Sequence, residues 1–419
     1  MIRAVKGMRD ILPPVSGIWN QVEAASRRMF ARFNYREIRT PILEETALFT
    51  RSVGEESDIV SKEMYTFEDR DGSSLTLRPE NTAPVLRAYI EHRLDQQSGV
   101  QRLYYLGPMF RRERPQKGRF RQFYQIGAEA IGSDSPAIDA EMIELVVRIL
   151  EQLQIGSFEL LINSIGSKDS RARYNETLRV QLKELAPRLC EDCRRRAETN
   201  PLRVLDCKVP QDQPLIDQLP SILDYLDPED EDHFRRVREF LDNRQIAYTV
   251  KPRLVRGLDY YSRTTFEITH GSLGAQNSIL GGGRYDGLAE SLGSKVPAPG
   301  IGFSIGEDRL VMIAEENSSM HMPALDLYLA PMGDVAIRHS GVLAREIRDL
   351  DISVEVGVDH KLKRMLEIAN KLGARYTLLV GDEEIVTQTY TLKDMKSGDQ
   401  VRLTRQELLD RLAGSKKEE

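Results

Sequence analysis

The sequence predicts an α+β fold: an antiparallel sheet flanked by helices, interrupted by a mostly helical insertion and followed by a smaller C-terminal α/β domain. Three observations predict it. Strand-like runs paired across turn signals recur before residue 132 and again after residue 246. Between about residues 170 and 240 the chain turns charged, cysteine-bearing and helical. Beyond residue 325, strands and helices alternate in the pattern of a parallel sheet. The expected ranges are 1–169 with 241–320 for a discontinuous main domain, 170–240 for the insertion and 325–419 for the last domain. A chain of 419 residues exceeds what one hydrophobic core usually organises, so several domains are expected.

In chain order, Gly7, Pro13 and Pro14 mark turns, and GIWNQVEAASRRMFARF carries Val22, Ala25, Met29 and Phe33 at helical spacing. REIRTPILEE follows, with Ile38 and Ile42 of strand type and a Pro41 that denies one ladder bond, which places it at an edge or an interface. MYTFED and SSLTLRPE read as a hairpin about Arg70, Asp71 and Gly72. RLYYLGPMFRRE and RFRQFYQIGAEAIG form a second strand pair, and IDAEMIELVVRILEQL reads as a helix. After the insertion, strands return in AYTVKPRLVRGLDYYSRTTFEITH and SILGGGRYDGLAESLG, and APGIGFSIGEDRLVMIAEE is a strand running into a helix. ENSSMHMP reads as a linker to the C-terminal domain.

Composition excludes several classes. The 59 Lys+Arg against 65 Asp+Glu give a net charge of −6, and 40% of the residues are hydrophobic, enough for a buried core. Charged residues at 30% and a mean hydropathy of −0.42 argue against a membrane protein, and no run approaches the ~18 apolar residues of a span. MIRAVKGMRDILPP has no apolar region of the secretory type, so a cytoplasmic location is expected. The three cysteines, Cys190, Cys193 and Cys207, are too few for a disulfide framework. Their Cys-x2-Cys-x13-Cys spacing is half of a zinc motif that Asp206 or His233 would complete. The expectation is three free thiols packed in a small subdomain and no metal, with zinc as the alternative.

Within this acidic chain, FRRERPQKGRFRQF concentrates Arg111, Arg112, Arg114, Lys117, Arg119 and Arg121 against Glu113, a local balance of +5 that fits a polyanion. If both flanks are strands, Arg111, Glu113, Arg119, Arg121 and Phe123 share a face, and Arg114, Gln116 and Lys117 occupy the tip. Guanidinium forks suit phosphate, and Phe123 offers a base a stacking surface. RGLDYYSRTTFE places Arg256 ahead of Tyr260 and Tyr261, and GGGRYDG lets backbone approach a ligand closely. Arg309 opens a helix, where a cation opposes the macrodipole, so it calls for a bound phosphate or a pair with Glu307 or Asp308.

Together and in this order, these elements resemble the signature motifs of class II aminoacyl-tRNA synthetases, and their wording is similar to the histidyl-tRNA synthetase family. KGMRDILP, TLRPENTA, FRRERPQKGRFRQF, RGLDYYSRTTFE, GGGRYDGL, GFSIGEDRL and the C-terminal α/β module carry the resemblance over essentially the whole chain. It implies a class II catalytic core, an anticodon-binding C-terminal domain, ATP as substrate with Mg2+, L-histidine and tRNA(His) as partners, a homodimer, and neither membrane nor DNA binding. It implies Arg111 on the α-phosphate, Arg119, Arg121 and Arg309 around the other phosphates, Phe123 against adenine, and Arg256 as the catalytic arginine beside the carboxylate. For histidine, Glu80, Thr82 and Gln125 are similar to residues that hold the α-amino group. Glu129 and Tyr261 match those reading the imidazole, with Tyr260 and Tyr285 in the same pocket.

Arg114 and Gln116 match positions at the tRNA acceptor end, and the first helix with REIRTPILEE resembles the dimer motif. Two positions depart from the family pattern: Asn81 stands for a usual glycine and Asp308 for a usual glutamate. The other reading is a non-catalytic regulatory or tRNA-sensing paralogue, which would tolerate loss of the arginines retained here.

Overall fold

The computed structural model describes residues 2–54, 57–114, 118–316, 325–359 and 361–415. They form two compact units, Met1–Met320 and His321–Glu419.

An eight-stranded sheet organises the first unit. In chain order its strands are β1 (Arg36–Glu37), β2 (Gln101–Phe110), β3 (Gln122–Ile131), β4 (Phe158–Ser164), β5 (Thr249–Val250), β6 (Ser262–His270), β7 (Ser278–Arg284) and β8 (Gly300–Gly306). Across the sheet the order is β1-β2-β3-β8-β7-β6-β4-β5. The six central strands pair antiparallel as expected, whereas β1 and β5 join the edges in parallel.

Strand alternation sorts the two faces. On one face Ile126, Ala128, Ile162, Phe266, Ile268, Ile301, Phe303 and Ile305 enter the main core. Four helices cover them: α1 (Val15–Arg32), α2 (Pro136–Gln152), α3 (Pro228–Asn243) and α4 (Glu307–Glu316). Helix α1 buries Trp19, Val22, Ala25, Met29 and Phe30, and each of its large apolar side chains contributes about 1.5–3 kcal/mol of burial. Ser135 caps α2 by accepting from Ala137 N, and Pro136 takes the first helical position, where its missing N–H costs nothing. Helix α3 was expected at the end of the insertion, but its Phe234, Val237 and Leu241 sit in the main core. The insertion's own apolar residues, Tyr174, Leu178, Leu182, Leu189, Cys193, Val204 and Ile216 among them, join the second core, on the sheet's other face.

The expected hairpin is present as Tyr65–Glu68 against Ser74–Leu77, with Leu43–Glu45 on its other side in a small three-stranded sheet. The cation-rich segment departs from expectation. β2 ends at Phe110 and β3 starts at Gln122, so Arg111, Arg119 and Arg121 lie on the connection and no two-residue period fixes their face.

In the second unit β9 (Leu327–Pro331), β10 (Val354–Val356) and β11 (Tyr376–Val380) pair parallel, and β12 (Thr389–Asp394) and β13 (Gln400–Thr404) extend the sheet antiparallel. The Asp334–Arg348 and Arg405–Ser415 helices bury Leu343, Ile347, Leu408 and Leu412 with Leu327 and Leu329. The Leu362–Lys371 helix buries Met365 and Ala369 with Tyr328 and Ala330. Leu327 and Leu329 therefore face one layer of helix, and Tyr328 and Ala330 the other.

Candidate active site

The face of the large sheet away from the four helices floors a cavity of about 340 Å³. Small residues make the room. Gly281 on β7 and Gly302 on β8 leave space that neighbours fill: a Cβ on Gly302 would lie 1.7 Å from Oε2 of Glu129. Gln125 and Glu129 alternate with Ile126 and Ala128 on β3, so the strand sends its polar residues to this face.

Arg111, Arg119, Arg256 and Arg309 all line the cavity, as do Phe123, Glu80, Thr82, Gln125, Tyr260, Tyr261 and Tyr285. Twelve of the residues anticipated from sequence thus lie beside or beneath one space, eleven lining it and Glu129 under its floor, and Arg121, Arg114 and Gln116 differ. Arg121 turns its guanidinium to the carbonyls of Glu113 and Lys6, both at 3.4 Å, and does not line the cavity. The reason is local: with no strand at residue 121, nothing keeps its side chain on the face of Arg119. Arg114 is exposed and away from the cavity. Gln116 lies outside the described residues.

Carboxylates and carbonyls hold the arginines. Glu113 lies 3.0 Å from Arg119 and 3.8 Å from Arg111. Arg111 donates Nε to Pro79 O at 2.9 Å, and its guanidinium lies 5.1 Å over the Phe123 ring. Arg256 is 3.4 Å from Glu267, and its buried Nε has no partner among the described residues. Arg309 donates to Ser278 O at 2.5 Å and Gly118 O at 3.3 Å. Burial, and then the neighbouring Arg119, lower its pKa.

Asp308 does not pair with Arg309. It accepts from Arg9 at 2.8 Å and from Tyr124 N at 3.0 Å, tying the N-terminal segment to β3. Glu307 is fully buried and both its oxygens lack partners among the described residues. Neither acidic neighbour answers the Arg309 charge, which is directed into the cavity.

At the other end of the cavity, Glu80 accepts from Thr82 N at 2.7 Å and Ala83 N at 3.0 Å, capping the Thr82–Glu91 helix. Burial raises its pKa against those bonds. Gln125 Oε1 is buried without a partner among the described residues, an acceptor available to an ammonium. Glu129 is not a lining residue. Its Oε1 accepts from Thr82 at 2.8 Å and Tyr105 at 3.4 Å, and its Oε2 accepts from Tyr285 at 2.7 Å. All three donors do line the cavity, so Glu129 acts from beneath its floor. Burial pushes its carboxyl up to about 8. The Asn81 departure is accommodated: its Oδ1 accepts from Thr40 at 2.6 Å and Arg78 at 3.1 Å.

Sequence reasoning gave no place in the site to Tyr105, Glu267 and Lys208, and weighed Asp206 only as a zinc ligand; all four line the cavity. Tyr105 had no motif to mark it, and Glu267, although it ends the RGLDYYSRTTFE run, was given no role there; strand register brings both here. Cys190, Cys193 and Cys207 do come together, but with Asp212. The two completing residues considered from sequence lie elsewhere: Asp206 pairs with Lys208 at 3.4 Å, and His233 sits 3.6 Å from Asp139 in a buried cluster with Arg284.

No helix among the described residues is long and apolar enough to cross a membrane. The family profile described as "Histidyl-tRNA synthetase" matches residues 7–310, and the one described as "Anticodon binding domain" matches residues 326–414. A curated protein of Solibacter usitatus named "Histidine--tRNA ligase" is 65% identical over 412 residues, covering 98% of this chain and 99% of its own. One of the same name from Koribacter versatilis is 53% identical over 421 aligned positions, covering 97% and 95%. Among solved structures, the apo histidyl-tRNA synthetase of S. aureus superposes with a TM-score of 0.82 at 36% identity, covering 99% of this chain and 100% of that one.

Proposed function

The chain belongs to the histidyl-tRNA synthetase family and is a histidine–tRNA ligase, and from that premise we propose how its cavity divides the work. The reaction joins L-histidine to ATP as histidyl-adenylate with loss of pyrophosphate. Histidine then passes to the 3′ end of tRNA(His) with release of AMP. One observation carries the assignment of roles: Arg111, Arg119, Arg256 and Arg309 converge on the cavity that Gln125 and the tyrosines also line.

The histidine carboxylate attacks the α-phosphorus, and pyrophosphate leaves in line with it. Negative charge builds on the non-bridging oxygens of the α-phosphate. Arg111 and Arg256 are the donors for that charge, with the unpartnered Nε of Arg256 available to it. Both are held in place by carboxylates before substrate arrives, and each such preorganised donor is worth roughly 10²–10³ in rate. Arg119 and Arg309 take the remaining phosphates, and Phe123 takes the adenine. Arg121 is left to brace the loop against Lys6 and Glu113. Mg2+ bound with ATP would offset charge on the phosphates, and among the carboxylates that line the cavity Glu113 and Glu267, beside the arginines, would supply oxygen donors to hold it.

Glu80, Thr82 and Gln125 hold the α-amino group. An imidazole needs one donor and one acceptor partner, and Tyr261 with the Glu129 network supplies both, Tyr285 and Thr82 transmitting the state of the Glu129 carboxyl. Tyr260 packs edge-on to Tyr285, with ring centroids 6.1 Å apart, and closes the apolar side. Recognition of this kind rejects analogues without hydrogen-bonding groups by roughly 10⁴–10⁵.

The second unit reads the anticodon, while Arg114 and Gln116 meet the acceptor end. The protein acts as a homodimer in the cytoplasm. Ile42, Leu43 and Phe67 support the dimer: they are exposed on or beside the small three-stranded sheet, where REIRTPILEE was expected to form an interface.

ATP–pyrophosphate exchange with each of the twenty amino acids tests the reading. Exchange with histidine alone, lost in Arg256→Ala, is expected. Exchange that survives in Arg256→Ala would remove the catalytic arginine from the scheme.

A further inference from the structure

We propose that Cys190, Cys193, Cys207 and Asp212 form a structural zinc site that fastens the insertion to the active-site cavity. One ligand atom from each residue lies within 4.8 Å of every other. A tetrahedral zinc with sulfur ligands at about 2.3 Å spaces them by roughly 3.7 Å, so closing the cluster needs about 1 Å of contraction along its longest edge.

The four come from three chain elements. Cys190 precedes the Glu191–Thr199 helix and Cys193 lies in that helix's first turn, the arrangement in which a Cys-x2-Cys pair turns both sulfurs to one point. Cys207 follows the Pro201–Asp206 helical turn, and Asp212 precedes the Gln213–Ile216 helix. Cys193 and Asp212 are fully buried and Cys207 nearly so. The donor set is the soft-sulfur, four-coordinate type that selects zinc over magnesium or calcium.

The surroundings fit that use. Asp212 is a buried carboxylate that accepts from Cys190 N at 3.1 and 3.2 Å and from the weakly donating Cys207 thiol at 3.4 Å, and the Cys190 and Cys193 thiols also bear on it, so all three cysteine side chains converge on this carboxylate. Val209 N donates to the Cys207 sulfur at 3.4 Å, the second layer that supports a thiolate. Binding releases the three thiol protons to solvent, so Zn2+ with three thiolates and one carboxylate carries −2. Arg196, Arg203 and Lys208 line the cleft beside the cluster and offset that charge.

The metal's effect would reach the reaction centre. Asp206 and Lys208 flank Cys207 and line the cavity that holds Arg256. Arg203, four residues before Cys207, donates to Gly257 O at 2.7 Å, next to Arg256. Zinc would fix the 203–208 segment against the Arg256 loop.

The test is the zinc content of the full-length protein purified without chelator, followed by cobalt titration of the chelated chain. One zinc per chain and a cobalt spectrum with tetrahedral thiolate bands are expected. Cys193→Ser and Cys207→Ser should lose the metal, and Asp212→Cys should keep it. Under about a tenth of an equivalent of zinc in the wild type together with a cobalt spectrum lacking thiolate bands overturns the proposal. Zinc retained at one equivalent in the double Cys193→Ser, Cys207→Ser variant overturns it as well. The cobalt titration uses only the wild-type chain, so misfolding of a variant leaves it decisive.

Discussion

Arg256 occupies the space that a side chain at residue 281 would need: a Cβ on Gly281 would fall 1.8 Å from Nη2 of Arg256. Gly281 also pairs in register with Glu267, the carboxylate that holds the arginine. The glycine therefore positions Arg256 without touching substrate. Gly281→Ala should lower ATP–pyrophosphate exchange by roughly 10²–10³, the size of losing one preorganised donor. Its thermal midpoint should stay near that of the wild type. Undiminished exchange in this variant would show that Arg256 works from elsewhere.

The three hydroxyls on Glu129 make a second prediction. Tyr285→Phe deletes the 2.7 Å donor to Oε2 without changing the ring. Removing a hydrogen bond to a buried polar group costs about 1–3 kcal/mol, so the KM for histidine should rise about 10- to 100-fold. The KM for ATP should hold. Because that bond lowers a carboxyl already pushed up to about 8 by burial, losing it should move the pH dependence of histidine binding upward. Equal rises in both KM values would place the effect in the fold rather than in recognition.

Burial, reinforced by Glu23 and Asp308, pushes the Glu307 carboxyl up to about 9. Between the ordinary carboxyl range and that value, the folded chain holds a proton that the unfolded chain has released. Stability therefore falls as pH rises from about 5 towards 9. Glu307→Gln removes the ionisation, so its thermal midpoint should exceed the wild type's by a few degrees at pH 8 and by much less at pH 5. Melting curves at the two pH values decide it: an equal difference at both would place the titrating group elsewhere.

These residues also show what the sequence could and could not reveal. Arg111, Phe123, Arg256 and Arg309 were legible because contiguous motifs carry them, and the β2–β3, β6–β7 and β7–β8 pairings because short connections join them, whereas β3–β8 and β4–β6 pair residues 100 or more positions apart. Glu267 ends the same motif that begins with Arg256, but their contact forms only where the chain before β6 folds back over Gly281, which the β6–β7 pairing sets opposite Glu267, and Asp212 reaches the cysteines only once the insertion packs. The parallel edges β1 and β5 come from pairings with partners far away in sequence. Arg121 was misplaced for a different reason: a two-residue period was carried past the residue where β3 begins.

That last difference can be measured. Arg309 lines the cavity and Arg121 does not, although both were expected on the ATP phosphates. A charge-assisted bond to phosphate is worth about 1.5–3 kcal/mol, so Arg309→Ala should raise the KM for ATP about 10- to 100-fold. Among the described residues Arg121 donates only to carbonyls at 3.4 Å, so Arg121→Ala should change it by less than about threefold, as for other exposed contacts. Neither should alter the KM for histidine. Steady-state exchange at varied ATP separates the two residues. If Arg121→Ala matched Arg309→Ala, the Arg121 guanidinium would have to leave the carbonyls of Lys6 and Glu113 for the phosphates when ATP binds.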